Sequence, residues 1–161
     1  KWIGIAPFAA HEPKIWGLDN MITLVNKLTK NKYKVFLFGG GKSEIEQLDS
    51  LQNIENGVYS VAGKIPFDQE LALMNKLDAL VCMDSSNMHF GCLLGIKVIS
   101  IWGATTPLLG FFPYGNEEFI VQVPEKDRTK LTLTSYGNKV STNDYDWRKA
   151  VSVEDIMKFI S

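Results

Sequence analysis

Five short apolar runs alternate with segments patterned for helices, and that alternation restricts the chain to very few architectures. The runs cover residues 2–6, 34–38, 58–61, 80–83 and 97–102, each of strand length, and the last is rich in β-branched residues. Between them Leu18, Ile22, Val25 and Leu28 recur at helical spacing, as do Ile45, Leu48 and Leu51, and then Phe67, Leu71, Met74 and Leu77 over 67–77. These stripes are expected to face the core. Strands separated by helices pair in parallel, because a crossover helix returns the chain to the same end of the sheet. The expected fold is α/β, a three-layer domain with a mainly parallel sheet. After Gly103 the pattern weakens. Residues 104–113 read as a loop punctuated by Gly and Pro, 125–149 as polar loop, and 153–160 as a closing helix with apolar Val153, Ile156, Phe159 and Ile160.

Length and charge narrow the function classes. With 161 residues and a formal net charge of −1, the chain suits one domain and presents no basic face for nucleic acid. No apolar run approaches the ~20 residues of a membrane-spanning helix, and no secretory signal opens the chain, so it reads as cytoplasmic. Cys82 and Cys92 are too irregularly placed for a zinc or redox pair and read as small buried hydrophobes. The chain starts at Lys1 and is already strand-like from Trp2, which suggests a domain excised from a longer protein.

Chemistry concentrates in residues 80–103, a strand, short helix, strand unit with polar residues at its turn. Asp84 falls where the first of these strands stops, at the carboxyl edge where open α/β sheets bind ligands. Ser85, Ser86 and Asn87 offer N-cap side chains to the helix, and Gly95 can close it in a left-handed position. The first N–H groups of that helix form a seat for phosphate, and the Asp84 carboxylate beside them suits a sugar hydroxyl. Lys14, after the first strand, lies at the same edge. It is either an ammonium for a diphosphate or one more solvated lysine. Gly40 and Gly41 follow the second strand and allow a ligand close to the backbone. Glu44, in the first turn of the next helix, either meets that ligand or simply complements the helix dipole. Thr105, Thr106 and Pro107 follow the fifth strand, and His89 lies within the short helix as a polar residue facing the loop.

Several familiar motifs are excluded by spacing. A P-loop needs glycine where Phe36 stands, and a dinucleotide fingerprint needs it at Glu44. A nucleophile elbow around Ser85 needs glycines at Met83 and Asn87. A phosphoacceptor receiver needs an acidic pair where the first strand runs into Pro7 and Phe8.

Asp84-Ser85-Ser86-Asn87-Met88-His89, then a strand, then Gly103-Ala104-Thr105-Thr106-Pro107, resembles a known pattern. It is similar to the D-[ST]-G-x-x-H segment and G-[PA]-T-x-P turn of glycosyltransferase family 9, the ADP-heptose:lipopolysaccharide heptosyltransferases and their relatives, in their C-terminal half. Lys14-Ile15-Trp16 resembles the family's K-x-W element, and residues 39–44 resemble its glycine-and-acid turn. The resemblance covers about the first two-thirds of the chain. It implies a GT-B enzyme of two Rossmann-like domains, of which this chain is the C-terminal, donor-binding one, with the N-terminal acceptor domain absent. By the same resemblance Lys14 would contact donor phosphate, Glu44 the ribose, and Asp84 the sugar or phosphate region. Ser85 and Ser86 would offer backbone N–H groups, Thr105 would join the donor site, and Gly40, Gly41 and His89 would support it. Ser86 departs from the pattern, standing where the family has glycine, and either crowds the pyrophosphate or adds a hydroxyl contact.

The implied reaction is transfer of a sugar, heptose from ADP-heptose, with inversion to a lipopolysaccharide core or related glycan. The resemblance implies no cofactor and no metal, and no D-x-D motif occurs in the candidate loops. The catalytic base is expected in the N-terminal domain, which would also hold the glycan or lipid-linked acceptor, so no catalytic residue is expected in this fragment. The implied setting is the cytoplasm, with peripheral contact at the cytoplasmic face of the inner membrane. The rival reading is a non-catalytic α/β module that binds a nucleotide or phosphate.

Overall fold

A computed structural model describes residues 1–52, 56–139 and 145–160. Six parallel strands form one sheet: β1 (Trp2–Ala6), β2 (Lys34–Leu37), β3 (Val58–Ser60), β4 (Ala79–Met83), β5 (Val98–Trp102) and β6 (Ile120–Gln122), in the spatial order β3-β2-β1-β4-β5-β6. The helices are α1 (Leu18–Lys30), α2 (Lys42–Gln52), α3 (Phe67–Met74), α4 (Ser86–Leu93), α5 (Glu125–Arg128) and α6 (Val153–Ile160). This is the Rossmann-like, three-layer arrangement that the alternation of runs implies.

Why both faces are covered is visible in β4. Ala79, Val81 and Met83 join one apolar cluster while Leu80 and Cys82 join the other, so a continuous hydrophobic run feeds two cores by simple alternation. On the first face lie Met21, Leu24, Val25 and Leu28 of α1, Leu48 and Leu51 of α2, and Ile156 and Ile160 of α6. On the second lie Met74, Leu77 and, from α4, Met88. α4 comes close to the sheet because residue 91 is glycine. A Cβ there would stand 2.7 Å from Val98 Cγ2 and 3.0 Å from Leu80 Cδ2. Leu94 caps the helix, and Gly95 follows in the left-handed conformation at φ 69°.

Three expectations need correction. Phe67 is 55% exposed, resting its ring edge on Phe90 instead of entering the core, and the third helix stops at Met74. The weak region after Gly103 contains a sixth strand, β6, which pairs with β5 from Ile120 to Gln122. Residues 125–149 are not all loop, because α5 and a 3-10 turn over Trp147–Lys149 lie within them; positions 140–144 fall outside the described residues. Among the described residues no helix is long and apolar enough to cross a membrane.

Candidate functional site

The sheet reverses its winding between β1 and β4, which are adjacent in space but leave in opposite directions. Open α/β sheets form their ligand crevice at such a switch point, outside the carboxyl ends of the strands. Asp84 directly follows β4 there, and Lys14 lies in the connection after β1, at the end of a 3-10 turn over Glu12–Lys14. Lys14 Nζ meets Asp84 Oδ2 at 2.8 Å, with the two side chains only 12% and 8% exposed. The Thr105 hydroxyl, from the turn after β5, donates to the same Oδ2 at 2.9 Å. Three loops from adjacent strands thus converge on one carboxylate. Among the described residues Oδ1 of Asp84 has no hydrogen-bond partner, so the protein holds one oxygen of the carboxylate and not the other.

α4 starts beside this pair. Ser85 is its N-cap residue, in extended conformation, and Met88 N–H donates to the Ser85 carbonyl at 3.1 Å. Its side chain does not cap: the Ser85 Oγ is buried and has no partner among the described residues. The N–H groups of Ser86 and Asn87 precede the first intrahelical bond and have no acceptor within the helix. Ser86 itself is exposed, which leaves room at the position where the family pattern has glycine. The local result is a cluster of donors, one ammonium, one orphaned hydroxyl and a helix N-terminus, at the mouth of the crevice. A helix N-terminus with free donors is a favourable seat for an anion, and the ammonium beside it is already paired with Asp84.

The remaining residues separate into two groups. Glu44 folds back on its own turn, its Oε2 accepting from Gly40 N–H at 2.8 Å, while Gly40 and Gly41 are exposed with open space above them. This turn follows β2, two strands from Asp84, and belongs to the same sheet edge without touching Lys14. His89 is half-buried in α4 and makes no hydrogen bond among the described residues. Thr105 is 4% exposed and supports Asp84 instead of facing outward. Cys82, wholly buried in β4, has its thiol pushed well above the ordinary range by desolvation, with the nearby Cys92 and Asp84 adding to the effect.

Residues that sequence reasoning passed over complete the edge. Gly137 is buried against Lys14 and Thr105, and Trp147 donates its indole N–H to the Pro13 carbonyl at 3.0 Å. The one hint was a tryptophan and an arginine, Trp147 and Arg148, in an otherwise polar stretch.

The glycosyltransferase family 9 (heptosyltransferase) profile matches residues 1–140. The chain belongs to glycosyltransferase family 9. The match runs past the motifs that first suggested it and includes β6. Lipopolysaccharide core heptosyltransferase OpsX of Haemophilus influenzae is 26% identical over 128 residues, 78% of this chain and 37% of OpsX. Two solved proteins share the fold. The glycosyltransferase family 9 structure from Veillonella parvula superposes with a TM-score of 0.79 at 21% identity, over 98% of this chain and 44% of that one. E. coli heptosyltransferase WaaC, solved with ADP, gives a TM-score of 0.75 at 17% identity, over 99% and 43% respectively. This family 9 chain therefore spans less than half the length of the relatives it matches.

Proposed function

We propose that this chain is the donor-binding domain of an inverting glycosyltransferase. It would hold a nucleotide sugar, ADP-heptose, for transfer to a hydroxyl of a lipopolysaccharide core or related glycan. The observation that carries the reading is the Ser85 hydroxyl, without a partner among the described residues, at the N-terminus of α4 beside the Lys14–Asp84 pair at the switch point. Family membership and the likeness to WaaC, a heptosyltransferase solved with ADP, support it.

In this reading the diphosphate sits against the N-terminus of α4, where the Ser86 and Asn87 N–H groups and the Ser85 hydroxyl donate to its oxygens. Lys14 keeps its bond to Asp84 and turns a further N–H toward phosphate, since an ammonium has three donors and Asp84 takes one. Asp84 Oδ1 accepts from a hydroxyl of the sugar, and Glu44, at the turn after β2, accepts from the ribose. As the acceptor hydroxyl attacks the anomeric carbon, the bond to the diphosphate breaks and negative charge grows on the departing oxygen. Fixed donors aimed at that charge lower the barrier. The base that removes the acceptor proton belongs to the rest of the protein, together with the acceptor site. The setting is the cytoplasm, at the inner face of the membrane where that acceptor is displayed.

Calorimetric titration with ADP, GDP and UDP tests the site and the nucleoside together. ADP is expected to bind in preference to the other two. Lys14→Ala should weaken it by about tenfold or more, the loss of one charge-assisted contact, and Asp84→Ala should weaken it by releasing the Lys14 ammonium that the carboxylate holds in place. ADP binding that both variants leave unchanged, or no binding of any of the three, would contradict the proposal.

A further inference from the structure

Lys14 is held by residues that lie far from it in the chain. Trp147 donates its indole N–H to the Pro13 carbonyl at 3.0 Å, and Arg148 Nε donates to the Ile15 carbonyl at 3.0 Å. The two peptide carbonyls flanking Lys14 are thus gripped from a single turn, Trp147–Lys149, whose own entry is pinned by Asp146 Oδ1 accepting from Arg148 N–H. The Arg148 guanidinium also pairs with Glu12, the first residue of the turn that carries Lys14. The indole ring of Trp147 lies flush on Gly103, so a Cβ at Gly103 would overlap it. That second contact ties the same tryptophan to the turn bearing Thr105.

The stem of Lys14 is confined as well. Gly137 is buried with φ +63°, and a Cβ there would stand 2.5 Å from Lys14 Cγ, 2.7 Å from Cδ and 2.8 Å from Thr105 Cγ2. The two gripped carbonyls, the packing of Gly137 along the stem and the bond to Asp84 together hold the side chain in place. Trp147 and Arg148 lie beyond the residues 1–140 that carry the family match.

The geometry points to Trp147 and Arg148 as positioning residues that aim the Lys14 ammonium at the donor diphosphate, an inference that rests on the donor-binding reading of this edge. They touch no reacting atom. They act by fixing the peptide units around Lys14, so that its side chain arrives at the crevice already oriented and little ordering remains to be done when the ligand binds.

Competitive acetylation of lysines, read peptide by peptide by mass spectrometry, tests the positioning without any ligand. Trp147→Phe keeps a ring on Gly103 but removes the N–H given to Pro13, and Arg148→Met removes the bond to Ile15. In each variant the labelling of Lys14 should rise roughly threefold to tenfold, the loss of one hydrogen bond, while exposed Lys30, Lys76 and Lys126 stay unchanged. Unchanged labelling of Lys14 in both variants, or a rise shared equally by the three control lysines, would overturn the inference. Calorimetry with ADP supplies the donor arm. Trp147→Phe should weaken ADP about threefold to tenfold when Lys14 is present and add nothing to Lys14→Ala, the coupling that a double-mutant cycle isolates. Independent, additive losses would overturn the positioning role. Should the unaltered chain bind no ADP, the proposed function falls, while the labelling still decides whether Trp147 and Arg148 hold Lys14.

Discussion

Among the described residues Lys14 and Thr105 meet the same oxygen of Asp84, and this asymmetry organises the site at the scale of single residues. Lys14 supplies charge to Oδ2 and Thr105 supplies a neutral hydroxyl, so the carboxylate is anchored on one side and available on the other. Thr105→Val keeps the shape of the side chain but deletes the donor, leaving a buried carboxylate with one bond fewer. It should cost about 1.5–3 kcal/mol of stability, the range for a hydrogen bond to a charged group. Thr105→Ser should recover most of that loss in urea denaturation, and equal midpoints for Thr105→Val and the unaltered chain would contradict the role. Asp84 was legible in the sequence because it stands where an apolar run ends. Lys14 stood out as a candidate at the same edge, but its pairing with Asp84 was not legible, since a lysine in a loop is ordinarily solvated; here Gly137, more than 120 residues downstream, packs along its stem. Contacts of such separation leave no periodicity to read.

At the scale of elements, the strands and main helices were readable because each carries its own pattern, as β4 does in alternating between two cores. β6 escaped notice because it is three residues long and its burial depends on β5 beside it. α3 ends early because the bonding tightens after Asn75: Lys76 N–H donates to the Leu73 carbonyl at 2.9 Å and Leu77 N–H to the Met74 carbonyl at 3.1 Å, three residues back instead of four. α6 is the clearest case of an element specified at its start. Ser152 precedes it, and the Asp155 carboxylate accepts from both the Ser152 N–H, at 3.0 Å, and the Ser152 hydroxyl, at 2.7 Å, while Asp155 N–H donates to the Ser152 Oγ at 3.2 Å. The Ser152 hydroxyl chiefly holds the Asp155 carboxyl below the ordinary aspartate range, with its backbone N–H and Lys158 adding to the effect. A depressed folded value means that this stabilisation is present above the ordinary aspartate pKa and is lost as pH falls through the folded one. Asp155→Asn should therefore lower stability by about 1 kcal/mol at neutral pH, with the difference fading as pH falls below the ordinary aspartate pKa and through the lower folded one. A difference that does not change with pH would show that the carboxylate charge is not what caps α6.

Across the whole molecule, chain order and spatial order conspire to build one edge. Strand order β3-β2-β1-β4-β5-β6 lines up the turns that carry Glu44, Lys14, Asp84 and Thr105 on four neighbouring strands. Helix α6 closes the first face, with Lys27 of α1 paired to its Glu154, and the stretch before it reaches back to the loop after β1. Trp16 Nε1 donates to the Val151 carbonyl at 3.1 Å, so the two ends of the chain are stitched together next to the site. The fold was legible from alternating patterns, whereas this stitching was not, because it depends on single side chains crossing the molecule. The diphosphate of the donor is proposed to bind where α4 begins. Amide chemical-shift mapping during an ADP titration reads that location directly. The largest changes are predicted at Ser85, Ser86 and Asn87, with smaller ones at Gly40 and Gly41. Shifts centred instead on the cleft of about 360 Å³ lined by Cys92, Lys97 and Asn116, at the start of β5, would contradict it, as would saturating ADP that moves none of these amides.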